Sequence, residues 1–226
     1  MKLPLSDRLL ACAGFVAPGS RVADIGCDHG YLGIHLLQTG LASSMIESDV
    51  NEAPLQSAMR NATKYGVSDK MSFYLSDGAH NIPRDFDTMI CAGMGADTMI
   101  HILQCAPWLQ SEQYQLILQC QSKTPVLRKY LSDTGWCITA EVIVRDGKFL
   151  YTVMEAHWCP QAPRLTPGQC YITPAVLTSI HCDLPEYYQR ITDGLRLAIT
   201  HQADPEKKAI LEELEHDPAL SKLREV

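Results

Sequence analysis

Residues 21–31 read Arg-Val-Ala-Asp-Ile-Gly-Cys-Asp-His-Gly-Tyr. An apolar strand runs into a turn at Gly26, and a helix starts at about Gly30. Glycine belongs where the backbone takes positive φ or comes close to a ligand. A turn at a helix N-terminus offers free N–H donors and the positive end of the helix dipole. That chemistry suits a nucleotide-like cofactor bearing a carboxylate or a phosphate. The loop lacks a G-x-G-x-x-G, because Asp28 stands where a second glycine would approach a pyrophosphate. A carboxylate there repels phosphate and attracts an ammonium or sulfonium group. S-adenosylmethionine therefore fits better than NAD, with helix-end N–H groups for its carboxylate and Asp28 for its cationic side.

Other polar residues fall where strands should end. Asp49 lies 23 positions after Gly26 and suits the ribose hydroxyls, with Val50 beside it and Glu47 as the competing acid. Asp77-Gly78 is placed to meet an adenine edge, and Gly93-Met94 closes a later strand. In an open α/β sheet such strand ends converge on one ligand. Asp24, Gly26, Asp28, Gly30, Asp49, Val50, Asp77, Gly78, Gly93 and Met94 are thus the expected cofactor contacts. Cys27 has no activating partner that the sequence can name, so a nucleophilic role is not expected. His35, His80 and His101 show no metal-ligand spacing and read as structural; no metal is expected.

These residues need strands and helices to hold them. A helix over roughly 5–16 precedes a strand at 21–25, and strands follow at 43–48, 71–75, 86–91 and 116–118, separated by helices. Such alternation predicts a mostly parallel, Rossmann-like α/β sheet with right-handed crossovers. Asp146-Gly147 then joins strands at 137–145 and 148–157 into an antiparallel hairpin. The domain should span 1–158. Four prolines mark 159–184 as a linker, and the polar, helix-prone 185–226 reads as a helical hairpin divided at Asp204-Pro205.

Composition narrows the class. With 46% hydrophobic and 20% charged residues, the 226-residue chain is ordinary for a globular protein. A net charge of −7 excludes an overtly basic nucleic-acid binder, so any RNA contact must be local. Nine cysteines, with no C-x-x-C, read as buried reduced thiols of a cytoplasmic protein. Leu9-Leu10-Ala11-Cys12 looks like a lipoprotein box, but Asp7 and Arg8 interrupt its apolar region. No run is long enough to span a membrane.

The residues also match something specific. Asp24-Ile25-Gly26-Cys27-Asp28-His29-Gly30-Tyr31-Leu32 resembles the loop of the bacterial TrmK family, class I methyltransferases that act on adenine N1 at position 22 of tRNA. Ser6-Asp7-Arg8-Leu9, Asp49 with Pro54, Asp77-Gly78, Ala92-Gly93-Met94-Gly95, Leu116-Ile117-Leu118-Gln119 and Glu141-Val142-Ile143 match family segments in order, covering about 5–157. The resemblance implies S-adenosylmethionine as cofactor, tRNA as partner and a C-terminal helical extension that helps hold it. Departures are Gln119-Cys120-Gln121, where the family tends to Q-P-N, and Ala96 in place of a glycine. Asp28 and His29 are then the expected catalytic pair, and Arg8, Tyr31, Gln121 and Arg128 the expected substrate contacts. Lys2, Arg60, Lys64, Lys123 and Lys129 join Arg8 and Arg128 as possible phosphate contacts. Alternatives are a class I methyltransferase acting on a small molecule or protein, and a non-catalytic cofactor-binding protein.

Overall fold

The computed structural model describes residues 3–179 and 181–224. Five strands, β1 (Ser20–Ile25), β2 (Ala42–Asp49), β3 (Met71–Leu75), β4 (Thr88–Gly95) and β5 (Gln115–Ser122), run parallel. β6 (Trp136–Asp146) and β7 (Phe149–Trp158) form the hairpin turned by Gly147, and β7 adds antiparallel to β5. The sheet order is β3-β2-β1-β4-β5-β7-β6. Its reversal between β1 and β4 puts the ends of both strands at one crevice.

Both sheet faces are buried, as a parallel sheet requires. Ala23, Ile25, Met89, Cys91, Leu116 and Leu118 face one cluster, under α4 (Ala96–Cys105) and α5 (Thr124–Asp133). The alternate residues Val22, Ile90 and Ile117 face the other, under α1 (Asp7–Ala13) and α2 (Tyr31–Gln38). The two-residue side-chain period of the strands produces this division. α3 (Glu52–Tyr65) leads from β2 toward β3 and ends at Gly66 in the left-handed region.

β4 runs past the expected end at Cys91 to Gly95. Pairing with β5 continues as far as Ser122, and Gly93 is accommodated as a bulge. Residues 159–184 are not a loose tether either. Cys170, Ile172 and Val176 are buried, and α6 (Pro174–Thr178) lies within the stretch. Two helices follow, α7 (Leu184–His201) and α8 (Pro205–His216), divided at Asp204 as the sequence predicts. Their apolar faces form a third cluster with Ile143 of β6.

The nine cysteines are not all free thiols. Cys137 and Cys159 form a disulfide with 5.9 Å between Cα atoms, because the hairpin brings the start of β6 beside the residue that follows β7. No helix among the described residues is long and apolar enough to cross a membrane.

Candidate active site

The loop leaving β1 turns at Gly26, whose φ is +77°. The Gly26 and Cys27 N–H groups donate to the Ser48 carbonyl at 2.7 and 3.0 Å, fixing the loop against β2. A side chain at Gly26 would collide with the Met94 methyl group. Asp28 also takes a positive φ, 51°, unusual for a residue with a Cβ. Gly30 caps α2 from the left-handed region, and a Cβ there would lie 2.9 Å from that of Ala58. Gly30 thus serves close packing of the loop on α3 rather than the cavity wall. The first-turn N–H groups of α2 have no acceptor within the helix.

Two cavities flank this loop. The first, about 420 Å³, is lined by Asp24, Gly26, Asp28, His29, Tyr31, Gly93 and Gln121 among others. The second, about 250 Å³, is lined by Asp49, Val50, Asp77, Gly78 and Thr98 among others. Gly26 and Met94 border both. A ligand passing over Gly26 therefore has one end at Asp49 and Asp77 and the other at Asp28 and His29.

The carboxylates sit in different surroundings. Asp49 accepts from the backbone N–H of Asn51 at 2.8 Å and of Asp28 at 3.4 Å. Asp24 is buried; desolvation first, and the charge of Asp49 second, push it up to about 7. Glu47 is fully buried beneath α2, where a Cβ at Gly33 would strike its carboxylate. Burial, then Asp24, hold Glu47 well above the usual carboxylate range. Its carboxyl lies beside the Cys27 thiol and faces neither cavity, so of the two acids on β2 it is Asp49 that lines the second cavity. Burial, then Glu47, also push the Cys27 thiol up, opposite to what a nucleophile needs.

Asp28 and His29 are exposed, their side chains 71% and 53% accessible and 3.6 Å apart. The Asn61 side chain donates to the His29 carbonyl at 3.0 Å, and His29 stands against Tyr31, which meets Tyr65 edge-on.

Of the expected substrate contacts, Arg8, Tyr31 and Gln121 line the first cavity. Arg128 does not. Its guanidinium is fully buried against Glu141 at 2.5 Å and donates to the Cys170 and Tyr171 carbonyls and the Tyr187 hydroxyl. The helical position that made Arg128 look like a surface cation is roofed by Cys170, Tyr171 and Tyr187. Arg8 reaches the cavity but is engaged there with Asp146 at 2.6 Å and Gln119 at 2.8 Å. Sequence reasoning gave Gln119 no role in the site, although a glutamine in the apolar run Leu116-Ile117-Leu118 signals a buried polar partner. Away from the cavities, His181, Cys182 and Asp183 bring possible ligand atoms within 4.8 Å of one another. Asp183 there already accepts from Arg145.

The donor set fits S-adenosylmethionine: a carboxylate at the end of β2 for hydroxyls, acidic groups for a cation, helix-end N–H groups for an anion, and a side-chain-free crossing at Gly26. Residues 5–154 match a family described as a methyltransferase domain. A Mycoplasma genitalium protein assigned as a tRNA methyltransferase is 30% identical over 175 residues, 74% of this chain and 76% of that one. The tRNA (adenine(22)-N(1))-methyltransferase of Bacillus subtilis is 31% identical over 157 residues, 69% of this chain and 66% of that one. A Streptococcus pneumoniae protein assigned as a tRNA (m1A22) methyltransferase, solved with S-adenosyl-L-methionine, superposes with a TM-score of 0.81 at 25% identity. That match covers 97% of this chain and 99% of the other, and so includes the C-terminal helices. The chain belongs to the methyltransferase-domain family, and within it to the TrmK group of tRNA methyltransferases.

Proposed function

We propose that this protein transfers the methyl group of S-adenosylmethionine to N1 of an adenine in tRNA, at position 22. The observation that carries the reading is the meeting of the two cavities at Gly26 and Met94. One end offers Asp49 to a ribose; the other is open and lined by Asp28, His29, Tyr31 and Gln121.

S-adenosylmethionine, when bound, supplies a methyl group activated by its sulfonium charge. The chain's work is then alignment, and positioning of this kind is worth roughly 7–11 kcal/mol. Asp49 holds the ribose, Asp77-Gly78 meets the adenine edge, and Asp24 with the first turn of α2 takes the amino-acid end. The N1 lone pair of a neutral adenine lies in the ring plane and needs no base to expose it. As the N1–C bond forms, the S–CH3 bond would break to leave a neutral thioether, and the positive charge passes to the adenine ring. Asp28, beside the exocyclic amine, offsets that charge, and His29 orients Asp28 or the amine. N1 sits on the Watson–Crick edge, so the base must leave its pair to enter the first cavity. Tyr31 and Met94 form walls for it.

The RNA reading needs cations at this mouth. Lys123 and Lys129 are paired with Asp97 and Asp133, Arg8 with Asp146, and Arg128 is buried; Lys2 lies outside the described residues. Arg60 and Lys64 remain. Both are exposed on one face of α3 and have no carboxylate partner among the described residues. Asn61 between them ties that helix to the His29 loop. They supply phosphate contacts there. In this reading residues 1–158 are the cytoplasmic methyl-transferring unit and 185–226 a helical extension, joined through 159–184.

The test is methyl transfer from labelled S-adenosylmethionine to unmodified tRNA, with nucleoside analysis. 1-Methyladenosine mapped to position 22 is expected. Label in another nucleoside would refute the target, and no label on any tRNA would refute the activity. D28N should keep the fold and lower turnover about 100-fold.

A further inference from the structure

We infer that Gln119 is a positioning residue for methyl transfer: its side-chain carbonyl sets the Gly93–Met94 turn, and Arg8 fixes which end of the carboxamide faces that turn. The inference rests on the methyltransferase reading above and goes beyond it, since Gln119 touches neither cavity and acts through Gly93.

The sheet itself creates the need. β4 and β5 pair Ala92 with Gln119 and Met94 with Cys120, so Gly93 is an extra residue without a partner in the ladder. Bulges of this kind re-aim a strand beside an active site, at the cost of an unpaired N–H. Here the Gly93 N–H donates to Gln119 Oε1 at 3.0 Å. Gln119 is completely buried, so this hydrogen bond has no water to replace it. Gly93, with φ +80°, and Met94 line the first cavity, and Met94 alone of the two also borders the second. Where the Gly93 backbone stands therefore sets where Met94 crosses Gly26, between the cofactor and the entering base.

A carboxamide can be turned over, presenting its NH2 where its oxygen should be. With NH2 toward Gly93, two donors would face each other. The Arg8 guanidinium removes that alternative, because it also donates to Gln119 Oε1, at 2.8 Å, and has no acceptor atom of its own. Arg8 is in turn fixed by Asp146 at 2.6 Å and lies over the Tyr151 ring. Helix α1 and the β6–β7 hairpin are thereby connected to the turn at the reacting centre.

Two variants separate positioning from stability. Q119L keeps the volume and removes the acceptor; Q119E keeps an acceptor for both Arg8 and Gly93. Per folded molecule, Q119L should lower kcat on tRNA about 10- to 100-fold, the range a misplacement of about an ångström produces. KM for the cofactor should change little, and Q119E should restore most of the turnover. R8M should give a smaller loss, and adding it to Q119L should cost nothing further, because both act through one oxygen. The Gly93 amide should exchange hydrogen faster in Q119L than in the parent or Q119E, a readout independent of any RNA. Unchanged turnover in folded Q119L, equal impairment of Q119E, or multiplying losses in the double variant would overturn the inference. A parent inactive on tRNA would overturn the functional reading instead, and the Gly93 amide exchange would still decide whether Gln119 holds the turn.

Discussion

Asp24 near the end of β1 and Asp28 on the loop that follows stand four positions apart and experience opposite surroundings. The Asp28 side chain is exposed at the wall of the first cavity. Asp24 lies at the bottom of the same cavity, and its burial makes it a proton carrier near neutrality. Its folded pKa, about 7, exceeds the ordinary value near 4. The folded state therefore binds a proton the unfolded state releases. The stability this contributes is fully present below about pH 4 and is lost as pH rises through 7. Glu47 moves stability in the same direction. If Asp24 receives the ammonium of S-adenosylmethionine, binding favours its ionised form. The cofactor should then bind more tightly as pH rises toward 7, and binding below about pH 7 should release up to about one proton. Calorimetry in buffers of different ionisation enthalpy measures that proton, and D24N should abolish both its release and the pH dependence.

At the scale of elements, the buried Arg128 joins pieces distant in sequence. It extends from α5 to Glu141 on β6, to the carbonyls of Cys170 and Tyr171, to Thr152 on β7 and to Tyr187 on α7. Thr173 donates to the other Glu141 oxygen, so both partners are hydrogen-bonded throughout. A buried pair is worth little against an apolar replacement, but breaking it leaves an uncompensated charge. R128M should therefore cost about 3–5 kcal/mol in urea unfolding. Combining it with E141L should recover part of that loss. A double variant as unstable as the sum of the singles would show that the two do not form one unit. This network explains why Cys170, Tyr171 and Thr173, in the proline-marked stretch that reads as a linker, are held against the sheet. The composition of that stretch shows the lack of periodicity, while the anchoring carbonyls belong to the backbone and leave no mark in sequence.

For the whole molecule, net charge sets the problem. At −7 the protein repels a polyanion on average, so RNA must be drawn to a local field. In the function proposed above, Arg60 and Lys64 supply that field from the helix that Asn61 ties to the His29 loop. R60E combined with K64E should raise KM for tRNA about tenfold and leave the affinity for S-adenosylmethionine unchanged. For each phosphate no longer neutralised, the slope of log affinity against log salt should become shallower by about 0.7–0.9. Unchanged tRNA affinity and slope in the double variant would place the RNA elsewhere, and titration across a salt series reads both.

The order of strands and helices, the hairpin at Asp146-Gly147 and the places of Gly26, Asp49 and Asp77 at or just beyond strand ends were determined by the sequence itself, whereas Gly93 lies inside β4 rather than at its end. Periodicity and turn chemistry are local, and the sheet places its ligands at strand ends whatever the details. Tertiary structure decided what depends on partners far along the chain. Arg128 is indistinguishable from a surface arginine until Cys170, Tyr171 and Tyr187 close over it. Glu47 and Asp49 lie two residues apart on β2, and what separates them is that α2 covers the first while the second stands at the open end of the strand. Gln119 acquires its place because a bulge at Gly93 leaves one N–H unpaired and Arg8, 111 positions away, selects the oxygen that meets it. A local pattern can mark a residue such as Gln119 as buried, but the partner it meets is a property of the assembled chain and is not encoded beside it in the sequence.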